Sequence, residues 1–128
     1  MQAIGTVHSP IHDRVLRDAR EAVATIAIRE EFAEALDGIE AYSHLVVLFW
    51  FHQSERPTSM MVHPRGDPSR PERGIFATRS PVRPNPIGLT VVRLLERCGN
   101  ELVVRGLDAI DGTPVVDIKP HIQPGYDG

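Results

Sequence analysis

One cysteine, Cys98, is present in this chain, so an internal disulfide is impossible and there is no cysteine pair to hold zinc. A lone thiol in a strand-like run reads as a small packing or surface residue rather than a nucleophile. Long apolar runs are missing as well. The longest, Leu45 to Phe51, falls far short of the roughly 20 residues that span a bilayer. The N-terminus lacks the basic, apolar, small-residue succession of a secretory signal, and the expectation is a cytoplasmic protein without a membrane partner. No glycine-rich dinucleotide fingerprint, P-loop or His-Glu-x-x-His is found, which removes the commonest nucleotide and zinc-protease chemistries. Internal repeats and low-complexity tracts are absent too. Lysine is nearly so, Lys119 standing alone beside 13 arginines.

What is present fits one domain over residues 1–128, large enough for a single core but too small for separate cofactor and substrate domains. Any site must therefore share its walls with the core or with a second subunit. The formal net charge of −3 hides an uneven layout. Residues 1–55 carry four Arg against nine acids, residues 56–105 nine Arg against four acids, and residues 106–128 Lys119 against four acids. A basic belt in an acidic protein suits an anionic partner held at one face, and arginine's planar fork suits phosphate, carboxylate and base stacking; a coding bias toward arginine explains the composition equally well.

Periodicity and punctuation predict a mainly β chain. Gln2–His8 reads as a first strand ended by Ser9-Pro10, and 11–20 as a loop. Leu16, Ala19, Val23 and Ile26 fit a helical stripe, but alternation with β-branched residues over 22–28 favours a second strand, with 30–36, running into Asp37-Gly38, a short helix with a glycine stop. The nearly continuous apolar stretch Ser43–His52 predicts a core strand covered on both faces. Residues 53–74, rich in Pro, Arg and Ser, predict a long excursion with at most a short strand at Met60-Met61-Val62. Leu89–Cys98 and Glu101–Leu107, separated by Gly99-Asn100, form a predicted hairpin, and Thr113–Ile118 a last strand. So many strands in so short a chain favour a small closed β-barrel of about six to seven strands with one or two short helices, because closure removes the edges.

The stretch Phe76-Ala77-Thr78-Arg79-Ser80-Pro81-Val82-Arg83-Pro84-Asn85-Pro86-Ile87-Gly88-Leu89 is poor packing material and good site material. Its three prolines fix φ, delete donors and keep Ser80, Arg83 and Asn85 extended, giving a stiff loop with carbonyls short of local partners and two permanent cations among them. Gly88 permits a close backbone approach or positive φ where the following strand begins. Taken alone, a rigid surface connection with solvated arginines is the plainer reading. His44 and His52, eight apart on one apolar stretch, share a face at strand spacing and make half a metal site. No third ligand stands at readable spacing, so a buried or rim histidine is preferred and no metal is expected. Asp108, Asp111 and Asp117 gather around the turn signal Asp111-Gly112.

The 76–89 stretch resembles the signature of the TsaA-like, or TrmO, family of S-adenosylmethionine-dependent tRNA N6-methyladenosine-type methyltransferases. Three further stretches support it in order: Ile4–Pro10, Tyr42–Leu45 running into Phe51-His52-Gln53, and Leu107–Pro120. The resemblance is to a short form, ending without the C-terminal domain of longer bacterial members. It implies a small β-barrel, S-adenosyl-L-methionine as cofactor, a tRNA partner and a homodimer with its sites near the subunit interface.

Carried over by position, the family's cofactor contacts fall on His52, Gln53, Arg79, Leu89, Arg105, Gly106, Leu107 and Asp108. Leu89 suits an adenine slot and Arg79 an anionic end. Arg83, Asn85 and Lys119 are placed on the substrate side, Arg83 as a fork for the carboxylate of N6-threonylcarbamoyladenosine beside the anticodon. On that reading, losing Arg83 harms the acceptor and spares the cofactor. Asp111 and Asp117 are the proposed proton acceptors. Where family members carry a Pro-Arg-Gln-like element after the first strand, this chain has Asp13-Arg14-Val15-Leu16-Arg17-Asp18. The alternative function is a cofactor-binding module or sensor that methylates no tRNA.

Overall fold

The computed structural model describes residues 2–11, 21–52, 54 and 56–122. The expected loop at 11–20, apart from Ile11, and Gln53 lie outside these residues. Eight strands run in chain order: β1 (Gly5–His8), β2 (Val23–Ile28), β3 (His44–Trp50), β4 (Met61–Val62), β5 (Arg73–Gly74), β6 (Ile87–Cys98), β7 (Glu101–Arg105) and β8 (Pro114–Pro120). Six of them close a barrel in the order β1-β2-β7-β6-β3-β8, with every neighbouring pair antiparallel. β4 and β5 form a separate two-stranded ribbon within the excursion.

The barrel follows from period-two patterning. In β2, Ala24, Ile26 and Ile28 point inward, and in β7 Leu102 and Val104 do so; their register partners alternate in step. β3 departs from the expectation of cover on both faces. Leu45, Val47 and Phe49 are buried, whereas Val46, Leu48 and Trp50 on the outer face are only half covered. A closed barrel has one interior, so even a continuous apolar strand shows water one side. The predicted helix is a 3₁₀ segment, Glu30–Leu36, whose Leu36 joins the core and which Gly38 follows with φ +87°. The β6–β7 hairpin turns at Gly99-Asn100 as expected, and the Asn100 side-chain amide donates to the Ile28 carbonyl on β2, pinning the turn to the next strand.

Unequal strand lengths open the barrel wall at one place. β6 has 12 residues and β7 only 5, so β7 pairs with Arg93–Cys98 alone. Residues 87–92 of β6 are bonded to β3 on one edge and, among the described residues, to no strand on the other. β7 stops because Gly106 adopts φ +94° and its amide turns away to the Ala22 carbonyl. No helix among the described residues is long and apolar enough to cross a membrane.

Candidate functional site

The gap left beside 87–92 is a cleft of about 590 Å³, walled by Phe49, Phe51, Ile87, Gly88, Leu89, Thr90 and Val91, by Asp108 across the gap, and by Thr78, Arg79 and Arg83 of the proline-rich loop. Its floor depends on Gly88. A Cβ there would stand 2.7 Å from the Phe49 ring and 2.8 Å from Phe51, so glycine supplies close approach rather than positive φ. The two rings meet edge to face, with centroids 5.2 Å apart. Across the cleft the Thr90 hydroxyl donates to Asp108 Oδ1 and fixes that carboxylate on the wall. Apolar rings, a strand edge that no strand among the described residues pairs with, one carboxylate and two guanidiniums form a donor set suited to a nucleoside with charged ends.

The proline-rich loop is held as firmly as its composition predicts. Arg83 Nη1 donates to the Thr78 carbonyl at 2.9 Å and the Ser80 carbonyl at 3.2 Å. The Ser54 hydroxyl donates to Pro81 O and the Phe51 amide to Pro86 O. The carbonyls stripped of local partners by proline thus find them within the fold, and Arg83 acts as the loop's internal clasp while still facing the cleft.

A smaller hollow of about 160 Å³ adjoins this cleft and shares Phe51 and Arg83 with it; His52, Arg56 and Asn85 line it. The structure therefore brings Arg79, Leu89 and Asp108 together, with His52, Arg83 and Asn85 next door. Other candidates stand apart. Leu107 is buried in the core, on the face opposite to the one that alternation from an outward Arg105 would give it, because the strand ends and Gly106 turns left-handed between them, so its side chain faces no cleft. Arg105 is exposed at the end of β7, opposite Val23 and Arg93. Gly106 contributes the turn that ends the strand.

Asp111 and Asp117, placed beside the pocket by sequence, do not line it. Asp111 accepts the Ser9 amide through Oδ1 and closes the turn at Gly112, φ +84°. Asp117 lies on β8, pairs with Lys119 at 3.2 Å, and accepts the Ile118 amide. Lys119 is consequently off the cleft as well. The carboxylate facing the cleft is Asp108. The shared-face argument for His44 and His52 also stops short, because β3 ends at Trp50 and His52 sits in the turn beyond it, its amide on Trp50 O. His44 instead packs edge-on to His121 with ring centroids 6.4 Å apart, and no metal-ligating cluster occurs among the described residues. The Cys98 thiol donates to the Glu96 carboxylate, which pushes its pKa up and keeps it protonated, a poor nucleophile.

Sequence reasoning missed Phe49, Phe51, Thr90 and Val91 as cleft residues. They read as core or strand, and only the unequal lengths of β6 and β7 turn them into a wall.

The family model described as the tRNA-methyltransferase O N-terminal domain matches residues 8–127. A probable S-adenosyl-L-methionine-binding protein of Methanothermobacter thermautotrophicus is 46% identical over 127 residues, covering 96% of this chain and 90% of that protein. The tRNA (adenine(37)-N6)-methyltransferase of Escherichia coli is 39% identical over 137 residues, covering 94% of this chain and 57% of the enzyme. The crystal structure of TrmO from Pseudomonas aeruginosa superposes with a TM-score of 0.76 at 36% identity, covering 94% of this chain and 54% of that one. This chain thus spans little more than half the length of the E. coli and P. aeruginosa proteins. A match across nearly all of the described barrel, in sequence and in fold, settles its membership: the chain belongs to the TrmO N-terminal-domain family, the TsaA-like barrels.

Proposed function

We propose that this protein binds S-adenosyl-L-methionine in the cleft beside residues 87–92 and transfers its methyl group to an adenine N6 in tRNA, that of N6-threonylcarbamoyladenosine next to the anticodon. The observation that carries the reading is the edge of β6, unpaired by any strand among the described residues, facing Asp108, with Phe49, Phe51 and Leu89 around it. A flat purine fits an apolar slot and hydrogen-bonds to a strand edge. Asp108 suits the donor groups of the cofactor, and Arg79 suits its carboxylate. Bound there, the cofactor supplies an electrophilic methyl group on a sulfonium.

The chain's own contribution is mainly placement. A carbamoylated N6 is a poor nucleophile with an acidified N–H, so alignment and loss of its proton matter most; positioning of this kind is worth roughly 7–11 kcal/mol. Arg83 and Asn85, beside His52, occupy the adjoining hollow where an acceptor's carboxylate would lie next to the cofactor. Leu89 and Val91 of the cleft wall are 45% and 41% exposed. A second copy covering them completes the site, and the working form in this reading is a homodimer.

The names of most of the similar proteins speak only of cofactor binding, as for the M. thermautotrophicus protein, which keeps a second reading open: a binding module without an RNA acceptor. Labelled S-adenosyl-L-methionine with bulk tRNA separates the two. Label appearing in tRNA that carries threonylcarbamoyladenosine, and not in tRNA lacking it, supports the enzyme; tight cofactor binding with no label in RNA supports the module. Absence of cofactor binding in calorimetry would sink both. Arg79→Ala is expected to weaken cofactor binding at least tenfold, the loss of a charged hydrogen bond of about 1.5–3 kcal/mol.

A further inference from the structure

A second and larger cleft lies next to the first, on the excursion between β3 and β6. Its volume is about 720 Å³, and four arginines line it: Arg65, Arg70, Arg73 and Arg79. Only Arg70 has a carboxylate within ion-pair distance among the described residues, Asp67 at 3.7 Å. The walls are built rather than draped. Arg65 takes a left-handed backbone, φ 58°, within the turn Pro64–Gly66. Arg73 lies on the β4–β5 ribbon, and the Ile75 amide on Met60 O ties the start of the 76–89 loop to that ribbon.

At the rim stands Phe76, 81% exposed, directly before Ala77 of the cleft wall. Its neighbour Ile75 is buried, and Thr78 locks the turn through two bonds to the Ile75 carbonyl, so the ring is presented outward on a fixed backbone. The Arg83 guanidinium lies 5.8 Å from the ring centroid. An exposed aromatic on a rigid turn beside four arginines, of which only Arg70 has an ion-pair partner among the described residues, is the chemistry that holds single-stranded nucleic acid, with bases stacking on the ring and phosphates on the guanidiniums. Thr78 and Arg79 belong to both clefts, so a strand lying here leads directly to the proposed methyl donor.

We infer that Phe76 and the arginine-lined cleft form a binding platform for an unpaired RNA segment. Phe76 stacks one base, Arg65, Arg70 and Arg73 hold the flanking phosphates, and the next nucleotide is turned past Arg79 into the cofactor cleft. This rests on the methyltransferase reading for its biological sense, although the binding itself does not. Duplex RNA offers no free base face to the ring, so the platform selects loops over stems.

The test is fluorescence anisotropy of the full chain with two labelled RNAs: a hairpin with an unpaired loop, and a fully paired duplex of matched length. The expected result is preference for the hairpin, and about tenfold weaker hairpin binding by Phe76→Leu with little change on the duplex. The Arg65→Gln/Arg73→Gln double variant should lower the slope of log affinity against log salt by about 0.7 for each arginine removed. Equal binding of both RNAs, an unchanged Phe76→Leu, or an unchanged salt slope would each overturn the platform. So would a Phe76→Leu effect on sedimentation in place of RNA affinity, which would make the ring a protein contact. Calorimetry with S-adenosylhomocysteine keeps the two readings apart, since Arg65 and Arg73 do not line the cofactor cleft and the double variant should bind it as the parent does. Hairpin binding without methyl transfer would end the enzyme reading and leave the platform standing; methyl transfer by variants with undiminished RNA binding would do the reverse.

Discussion

One missing methyl group shapes the cofactor cleft. Gly88 lies under the edge-to-face pair Phe49 and Phe51, and a Cβ at 2.7 Å from a buried ring has nowhere to go without moving it. Gly88→Ala is expected to destabilise the fold by about 1–3 kcal/mol, read as a lowered denaturant midpoint with unchanged slope, and to narrow the cleft enough to weaken cofactor binding. An unchanged midpoint would mean the rings have room to spare. Arg83 is the residue whose reading the structure alters most. As the clasp on Thr78 O and Ser80 O, it holds the loop that carries Arg79, so Arg83→Ala should weaken cofactor affinity several-fold as well as acceptor methylation, measured by calorimetry and by label transfer. If cofactor affinity holds while methylation falls, the carboxylate-reading role expected from sequence is the whole of its function. Fixed charge and prolines marked the loop that carries Arg79 and Arg83, whereas Leu89 and Asp108 were named only by carrying positions over from the family; the structure brings Arg79, Arg83, Leu89 and Asp108 to one cleft. Asp111 and Asp117 stand off the cleft because a carboxylate near a turn has two uses, and here the Ser9 amide and Lys119 engage these two.

Among the elements, the hairpin β6–β7 decides where a site exists. Its turn, strand types and antiparallel pairing were legible from Gly99-Asn100 and the flanking β-branched runs. Its inequality was not, because Glu101–Leu107 reads as one strand and periodicity does not mark where Gly106 turns left-handed. Replacing that glycine tests the point. Gly106→Val puts a β-branched side chain at φ +94°, a strained conformation for it, and favours relief by extending β7 along β6. The expected outcome is loss of cofactor binding out of proportion to lost thermal stability; equal loss of both would assign Gly106 a purely structural part. The β4–β5 ribbon was the faintest element in the sequence, since two-residue strands leave no period to read. Small local devices hold its surroundings: the Ser69 hydroxyl and amide both donate to Asp67, which lowers that carboxyl's pKa and keeps the turn capped in acid until pH falls through the depressed value.

At the scale of the whole molecule, the arginine-rich middle becomes a basic excursion and the acid-rich ends belong to the barrel and its connections, and the apolar outer residues Leu89 and Val91 become the surface a second copy would cover. Sedimentation is expected to give a species near twice the 14.2 kDa chain mass, reduced to one chain by Val91→Asp. A monomer for the parent would remove the second copy from the site. The barrel's closure has a consequence in time. β1 and β8 share only two register pairs, Gly5 with Val115 and Thr6 with Pro114, and these join residues from opposite ends of the chain. The β6–β7 hairpin forms from near neighbours, whereas that seam waits for the longest loop in the molecule to close. Amides of Gly5 and Thr6 should therefore gain protection last in pulsed hydrogen exchange. During synthesis the first strand must wait, one edge unpaired, until the residues of β8 have left the ribosome, the interval in which this small barrel is most exposed to the wrong neighbour.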